Sequence, residues 1–424
     1  MDDPENMKMV SIAIVGAGSR GSIYADYALE HPDLAKVVAV AEPRDAWRSQ
    51  LMQRHAIPAS DAVADWRILL ERPRLADAIV IATQDAMHVE PAVSAAAKGY
   101  AILLEKPMAP TARDCRRIVS ALSADTLFGV CHVLRYTQHT RKLKELIDAG
   151  VIGDVVNVQS LEPVGYWHQA HSFVRGNWRR ADESSPMILA KCCHDLDWIR
   201  YIVGSRCTAV HSFGSLKHFR ASEKPALAAA RCLDCPHDAT CPYSAKRIYM
   251  SRVAEGRLGW PVDILTPDPD EESVLEALRT GPYGRCVYAC DNDVVDNQVV
   301  NMRFESGATA SLTMTAFTEA AHRQTRIFGT QGQLVSEGAT IRHFDFQSDT
   351  WEEIHPDAAD DSSLDGHGGG DYGIMKAFVE AVRHGDQARL LSGADVSLET
   401  HLMAFAAETS RLENRVVEMD EMWT

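Results

Sequence analysis

The chain has 424 residues, 46% hydrophobic and 24% charged, which is enough apolar length for two domains with their own cores. A formal net charge of −16 argues against nucleic acid and anionic membrane surfaces as partners, because both select clustered Lys and Arg. No apolar run approaches the ~20 residues of a membrane helix. The acidic opening MDDPENMKMV also lacks the apolar stretch of a signal peptide, so a soluble, cytoplasmic protein is expected.

Residues 9–15, MVSIAIV, read as a strand, GAGSRG as a turn and SIYADYALEHP as a helix. AKVVAVAE follows as a strand ending in Glu42, then the polar helix PRDAWRSQLMQRHA. ADAIVIAT and YAILLEKP are further strands, each followed by a helical segment. This alternation predicts a parallel sheet with helices on its faces. Beyond TRKLKELIDAGVIG the rhythm changes. DVVNVQSLEPVGYW, NQVVNMRFESGATASLTMTAF and RQTRIFGTQGQLVS read as strands joined by short turns, as in an antiparallel sheet. Residues 350–370 read as an acidic, then glycine-rich loop, and GHGGGD at its end is a His-bearing stretch that could reach a cleft. Two helical segments, DYGIMKAFVEAVRHG and SLETHLMAFAAETSRLE, close the chain.

Gly16, Gly18 and Gly21 follow a strand, open a helix and precede the acidic strand end Glu42, the context a dinucleotide fingerprint requires. Gly16 permits the tight turn, Gly18 the approach of a pyrophosphate, and Gly21 close helix–strand packing. The helix start at Ser19 and Arg20 favours the anion. Glu42 suits the ribose hydroxyls and favours NAD. Arg44 could instead receive a 2′-phosphate, so NADP stays open.

GAGSRG, IATQDAMHVEPAVSAAAKG, AILLEKPMAPT and VCHVLRYTQHTRKLKELIDAGVIGDV, in this order, resemble the Gfo/Idh/MocA family of NAD(P)-dependent oxidoreductases. The resemblance runs over nearly the whole chain. It implies an α/β fold: an N-terminal Rossmann dinucleotide-binding domain plus a C-terminal α+β domain with an open, mostly antiparallel sheet. The corresponding division is 1–130 and 131–424, with helices in 371–413 packing back near the junction and a Cys-containing excursion at 225–292. The resemblance implies sugar, inositol or related substrates and association into a homo-oligomer, dimer or tetramer. It places Thr83, Gln84 and His88 along the cofactor path, Glu105 and Lys106 at the nicotinamide, and Arg135 at the domain junction.

The chemistry independently favours Lys106. Hydride removal from a carbinol needs its O–H proton taken as the C–H bond breaks, and an amine at the carboxyl end of a parallel strand is well placed for that. In ILAKCCHDLDWI, treated as one helix over 187–203, Lys191, His194, Asp195 and Trp198 share a face. Leu189, Cys192, Leu196 and Ile199 share the apolar one, and the adjacent cysteines read as small buried hydrophobes. The family pattern D-x-x-x-H implies that His194 is the acid–base partner of the lysine, with Asp197 following. Its aspartate position is Ala190 here, which leaves the catalytic carboxylate unassigned. Upstream, HQAHSFVRGNWRRADESSP offers His168, His171, Arg175, Trp178, Arg179 and Arg180. His171, Arg175, Trp178, Arg179, Lys191 and Asp195 are the candidate substrate contacts. Their positive excess suggests an anionic group on the substrate, with a solvated basic loop as the alternative.

Cys232, Cys235 and Cys241 at short spacing, with Cys286 downstream, suit a tetrahedral structural zinc. Cys290 and His237 compete for the fourth position, and free thiols or a disulfide are the alternative. The expected activity is NAD(P)-dependent oxidation of a secondary hydroxyl on a small carbohydrate. Two other readings use the same residues: an NAD-dependent glycosidase acting through transient oxidation and elimination, and a non-catalytic sugar sensor.

Overall fold

The runs AIVI and AILL are apolar at every position, which marks strands covered on both faces. In the computed structural model they are the centre of a six-stranded, all-parallel sheet. The structure describes residues 9–423 apart from 339, 358–361, 363 and 365; the acidic opening, on which the cytoplasmic expectation rests, lies almost wholly outside them. The strands are β1 (Val10–Val15), β2 (Ala35–Ala41), β3 (Ala62–Val63), β4 (Ala78–Ile81), β5 (Ala101–Leu104) and β6 (Phe128–Val130). Their order is β3-β2-β1-β4-β5-β6. The order reverses at β1 and β4, so the ligand crevice of such a sheet lies beyond their carboxyl ends.

One face of this sheet packs Ile79, Ile81, Ile102 and Leu104 with Leu402, Met403 and Ala406 of the helix Ala394–Glu413. The other packs Ile12, Ile14, Val80 and Leu103 with Tyr24 and Tyr27 of the helix Ser19–Glu30. Tyr372, Met375 and Phe378 of the helix Gly366–His384 complete that face. The helix Gly366–His384 therefore belongs by packing to the first sheet, while Ala394–Glu413 packs on β5 and β6 of the first sheet and on the strand Cys207–Ser215 of the second sheet, so that one core runs through both.

The second sheet has nine strands: β7 (Val155–Pro163), β8 (Cys207–Ser215), β9 (Asn297–Phe304), β10 (Thr309–Thr315), β11 (Gln324–Gly329), β12 (Gly332–Glu337), β13 (Thr340–Asp345), β14 (Thr350–Ile354) and β15 (Val417–Glu418). It runs β14-β13-β12-β11-β7-β10-β9-β8-β15, open at both ends. Only β7 and β10 pair in parallel; the other neighbours are antiparallel. β9 alternates buried and exposed residues, as a sheet with one covered face requires. β14 occupies the start of the stretch expected to be loop. Its sequence TWEEI carries no apolar run, and it is held by pairing to β13, with Trp351 against Phe344 at 5.1 Å between ring centroids. Of that same stretch, 358–361, 363 and 365 lie outside the described residues.

The expected single helix over 187–203 is two: Met187–Ala190 and Cys193–Val203. Among the described residues, no helix is long and apolar enough to cross a membrane.

Candidate active site

The glycine turn has the backbone its spacing predicts. Gly16 sits at φ +92° against Ala82, where an added Cβ would lie 2.5 Å from the Ala82 carbonyl oxygen. A Cβ on Gly21 would lie 1.9 Å from the Gly16 oxygen. No side chain caps the helix Ser19–Glu30, so its first N–H groups, at Ser19, Arg20 and Gly21, are left to a ligand. Glu42 accepts from Ala17 N at 2.8 Å and from Arg44 Nε at 2.7 Å. Burial raises its proton affinity, but the hydrogen bonds from Arg44 and Ala17 win and hold the carboxyl below its usual range. Thr83 Oγ1 is buried with no partner among the described residues, an open polar atom beside the turn. These features fit a dinucleotide: a cradle only glycine allows, open N–H donors and a carboxylate where a ribose would lie.

Gln84 begins the short turn at 85–87, and His88 follows it. The buried His88 ring lies 3.0 Å from the Thr83 carbonyl and 2.8 Å from the Pro107 carbonyl. It thereby ties the cofactor-side loop to the loop that carries Lys106. Glu105 takes Arg20 Nε at 2.7 Å, the Tyr24 hydroxyl at 2.7 Å and Lys106 N at 2.5 Å. Arg20 also bonds Tyr24 and reaches Asp371 of the C-terminal helix. Glu105 and Arg20 thus build the floor of the site and are bound to each other.

Lys106 Nζ crosses to the second domain and donates to the Ala190 carbonyl at 3.1 Å. The helix break after Ala190 leaves that oxygen for it. The position that holds an aspartate in the family pattern thus meets the lysine through its backbone. His194 follows at the start of the next helix, 5% exposed, with Nδ1 unpartnered among the described residues. Burial, then the nearby Lys106, His132 and His367, push its proton affinity well down, so the ring is neutral at neutral pH. The His367 ring stands 6.0 Å from that of His194, so the glycine-rich stretch does reach the cleft. His168 is depressed by burial, then by Lys191, His171 and Lys106, which places it on the same space.

Lys191 and Asp195 belong to a cluster that the sequence reading lacked. Lys191 Nζ is 3.2 Å from Glu162 of β7. Arg323 Nε is 3.0 Å from the other Glu162 oxygen and 2.5 Å from Asp195. Burial and the adjoining Glu162 raise the Asp195 carboxyl, against the pull of Arg323. Arg135 makes a buried bidentate pair with Asp197, at 2.7 and 2.8 Å, which ties the turn Val133–Tyr136 after β6 to the helix Cys193–Val203; both Nε and Nη2 are used there.

The expected substrate-gripping loop is committed elsewhere. Residues 169–175 form a π-helical segment whose side chains face inward. Arg175, 1% exposed, donates to the carbonyls of Arg285 and Tyr243 and to Cys232 Sγ. His171 bonds the Tyr249 hydroxyl at 2.8 Å and stacks on Tyr283; burial, then Arg175 and Arg252, lower it to about 3. Arg179 pairs with Asp291 and Glu183, Arg180 with Asp182 and Glu183, and Trp178 packs against the core. An arginine's spacing does not show which way it faces; the close packing of the excursion decides it.

The zinc expectation finds no support among the described residues. Cys232, Cys235, Cys241 and Cys286 line one cavity together with His237. Yet all ten cysteines are free thiols, and among the described residues no three His, Cys, Asp or Glu side chains are gathered as a metal requires. Cys232 is turned to Arg175 and the Arg285 carbonyl instead. Tyr243, Ile248, Tyr249, Val262, Leu278 and Tyr288 give the excursion its own apolar core. Cys192 and Cys193 are buried, as expected of small hydrophobes.

A parallel sheet with a glycine cradle thus faces an open mixed sheet across a lysine and a histidine. Residues 10–130 match the oxidoreductase family's NAD-binding Rossmann fold, and 144–419 its C-terminal alpha/beta domain. The chain belongs to the Gfo/Idh/MocA family. It is 29% identical over 199 residues to a 2,7-anhydro-N-acetylneuraminate hydratase of Mediterraneibacter gnavus, covering 47% of this chain and 50% of that one. It is 27% identical over 208 residues to an inositol 2-dehydrogenase of Streptomyces avermitilis, covering 48% and 56%. The chain thus spans about half the length of these curated relatives. A solved levoglucosan dehydrogenase, in complex with NADH, shares the fold at TM-score 0.70 and 17% identity, over 97% of this chain and 99% of that one.

Proposed function

We propose that this protein is an NAD-dependent dehydrogenase that oxidises a secondary hydroxyl of a sugar, inositol or sugar derivative. The observation that carries the reading is the bond from Lys106 Nζ to the Ala190 carbonyl, which brings the first domain's amine to the segment that presents His194. The sugar and inositol dehydrogenases among its relatives support the substrate class.

Gly16, Gly18 and Gly21 would admit the pyrophosphate, with Ser19 and Arg20 N–H groups facing it. Glu42 would accept from the ribose hydroxyls. Its charge disfavours a 2′-phosphate, and Arg44, already bonded to Glu42, is a poor receptor for one. Bound nicotinamide supplies the hydride acceptor. Lys106 holds the substrate oxygen and stabilises the charge that develops there. His194, neutral through burial, takes the hydroxyl proton on its imidazole. His88 and Arg135 are positioning residues.

The test is a panel of neutral, acidic and glycosidic sugars with NAD and NADP, reading reduced cofactor and released aglycone. Accumulating NADH is expected. Aglycone release without net NADH would instead show the elimination chemistry, and cofactor binding with neither product would show a sensor.

A further inference from the structure

Lys191, Arg323, Glu162 and Asp195 form a cluster with an asymmetric exposure. The carboxylate side chains are sealed, Glu162 at 4% and Asp195 at 1%, while Lys191 and Arg323 stay 21% and 26% open. What the cleft meets is therefore cationic, and what anchors it is hidden. Arg323 spends Nε and Nη2 on Asp195, and among the described residues its Nη1 has no partner. Lys191 has three donors and one ion-pair partner.

This face borders the reacting groups. Asp195 follows His194 in the chain, and Arg323 is near enough to depress the His194 ring. Lys191 and Lys106 together depress His168. The groups around the space are thus Lys106, Lys191, Arg323, His168, His194 and His367, over two buried carboxyls. The basic loop upstream is committed to the excursion, so the positive excess of the cleft comes from Lys191 and Arg323.

We propose that Lys191 and Arg323 form a subsite for a carboxylate substituent on the sugar whose hydroxyl Lys106 and His194 handle. This deepens the proposed function and rests on it. An arriving carboxylate accepts from Arg323 Nη1 and Lys191 Nζ, which are already oriented by Glu162 and Asp195, so little ordering is needed. The added negative charge raises the proton affinity of the carboxyl pair beneath. Asp195, held high by burial and by Glu162, is the group that takes up the proton. A neutral sugar draws no proton.

NADH binding is read first, by its fluorescence; its absence would sink the oxidoreductase reading itself. The NADH-loaded protein is then titrated by calorimetry with D-glucose against D-glucuronate, and D-galactose against D-galacturonate. At least one uronate is expected to bind tenfold or more tightly than its neutral partner. Its heat should differ between phosphate and Tris in the sense of proton uptake. Lys191→Met should reduce the acidic-to-neutral preference roughly 10- to 100-fold, the usual worth of a charged hydrogen bond. Arg323→Gln alone would strand the buried Asp195 carboxyl, Glu162 keeping Lys191, so Arg323→Gln/Asp195→Asn is the companion variant; it should fold, lose the preference and lose the proton uptake. Equal affinity within both pairs, no measurable uronate binding by NADH-loaded protein, or a preference that survives Lys191→Met overturns the proposal.

Discussion

Lys106 and His194 act on each other before any substrate arrives. The ammonium is the second cause, after burial, that depresses the imidazole. The acid limb of kcat/KM should therefore lie below the ordinary imidazole range near ~6.5. In Lys106→Met the imidazole should titrate at higher pH, which NMR of the ring would show. Lys106→Met and His194→Gln should each lower kcat by about 10²–10⁴ with NADH binding retained, read by steady-state rates and cofactor fluorescence. Both residues were legible because each ends or begins an element whose pattern is plain: EKP after an apolar strand, H-D-L-D at a helix. Glu162 and Arg323 were not. One lies near the end of a strand and the other in a loop, and Arg323 is 128 residues from Asp195. No local spacing encodes that meeting. Arg175 was misjudged for the opposite reason, since its sequence neighbours are those of a surface and only burial shows it facing in.

At the level of elements, two devices hold the cleft. The first is the glycine cradle. Gly21→Ala puts a methyl on the Gly16 carbonyl, so the helix must shift; NADH binding should be lost and the melting temperature lowered, as calorimetry with and without NADH would show. The second is the Arg135–Asp197 pair, which joins the turn Val133–Tyr136 to the helix Cys193–Val203. Arg135→Met strands a buried carboxylate and should cost about 3–5 kcal/mol in urea unfolding. The alternating strands and helices of the first sheet were readable because buried parallel strands are apolar at every position. The break at Lys191 was not, because helical periodicity carries across one displaced turn. β14 escaped notice because cross-strand pairing, rather than its own composition, makes it a strand.

The whole molecule stores several buried, neutral imidazoles. Burial, outweighing Asp197, lowers His132 to about 4; burial and His132 lower His401 to about 3, and burial and Arg175 lower His171 to about 3. In the unfolded chain these rings bind protons from about pH 6.5 downward, while the folded protein resists until pH 4 to 3. The unfolded state then holds more protons, so stability falls as pH drops through that window. Urea midpoints taken between pH 7 and 4.5 should decline steadily, and a flat series would contradict the burial of these rings.

The helix Gly366–His384 closes one face of the first sheet with Tyr372, Met375 and Phe378, and Asp371 completes the Arg20 cluster from 351 positions away. A ribosome delivers β1 long before this helix. Until it emerges, that face of the nascent sheet is covered only by the helix Ser19–Glu30, and such long-range closure slows folding and leaves apolar surface open to association. Chains stopped at residue 365 should accumulate as aggregates, even though every glycine of the cradle has been made.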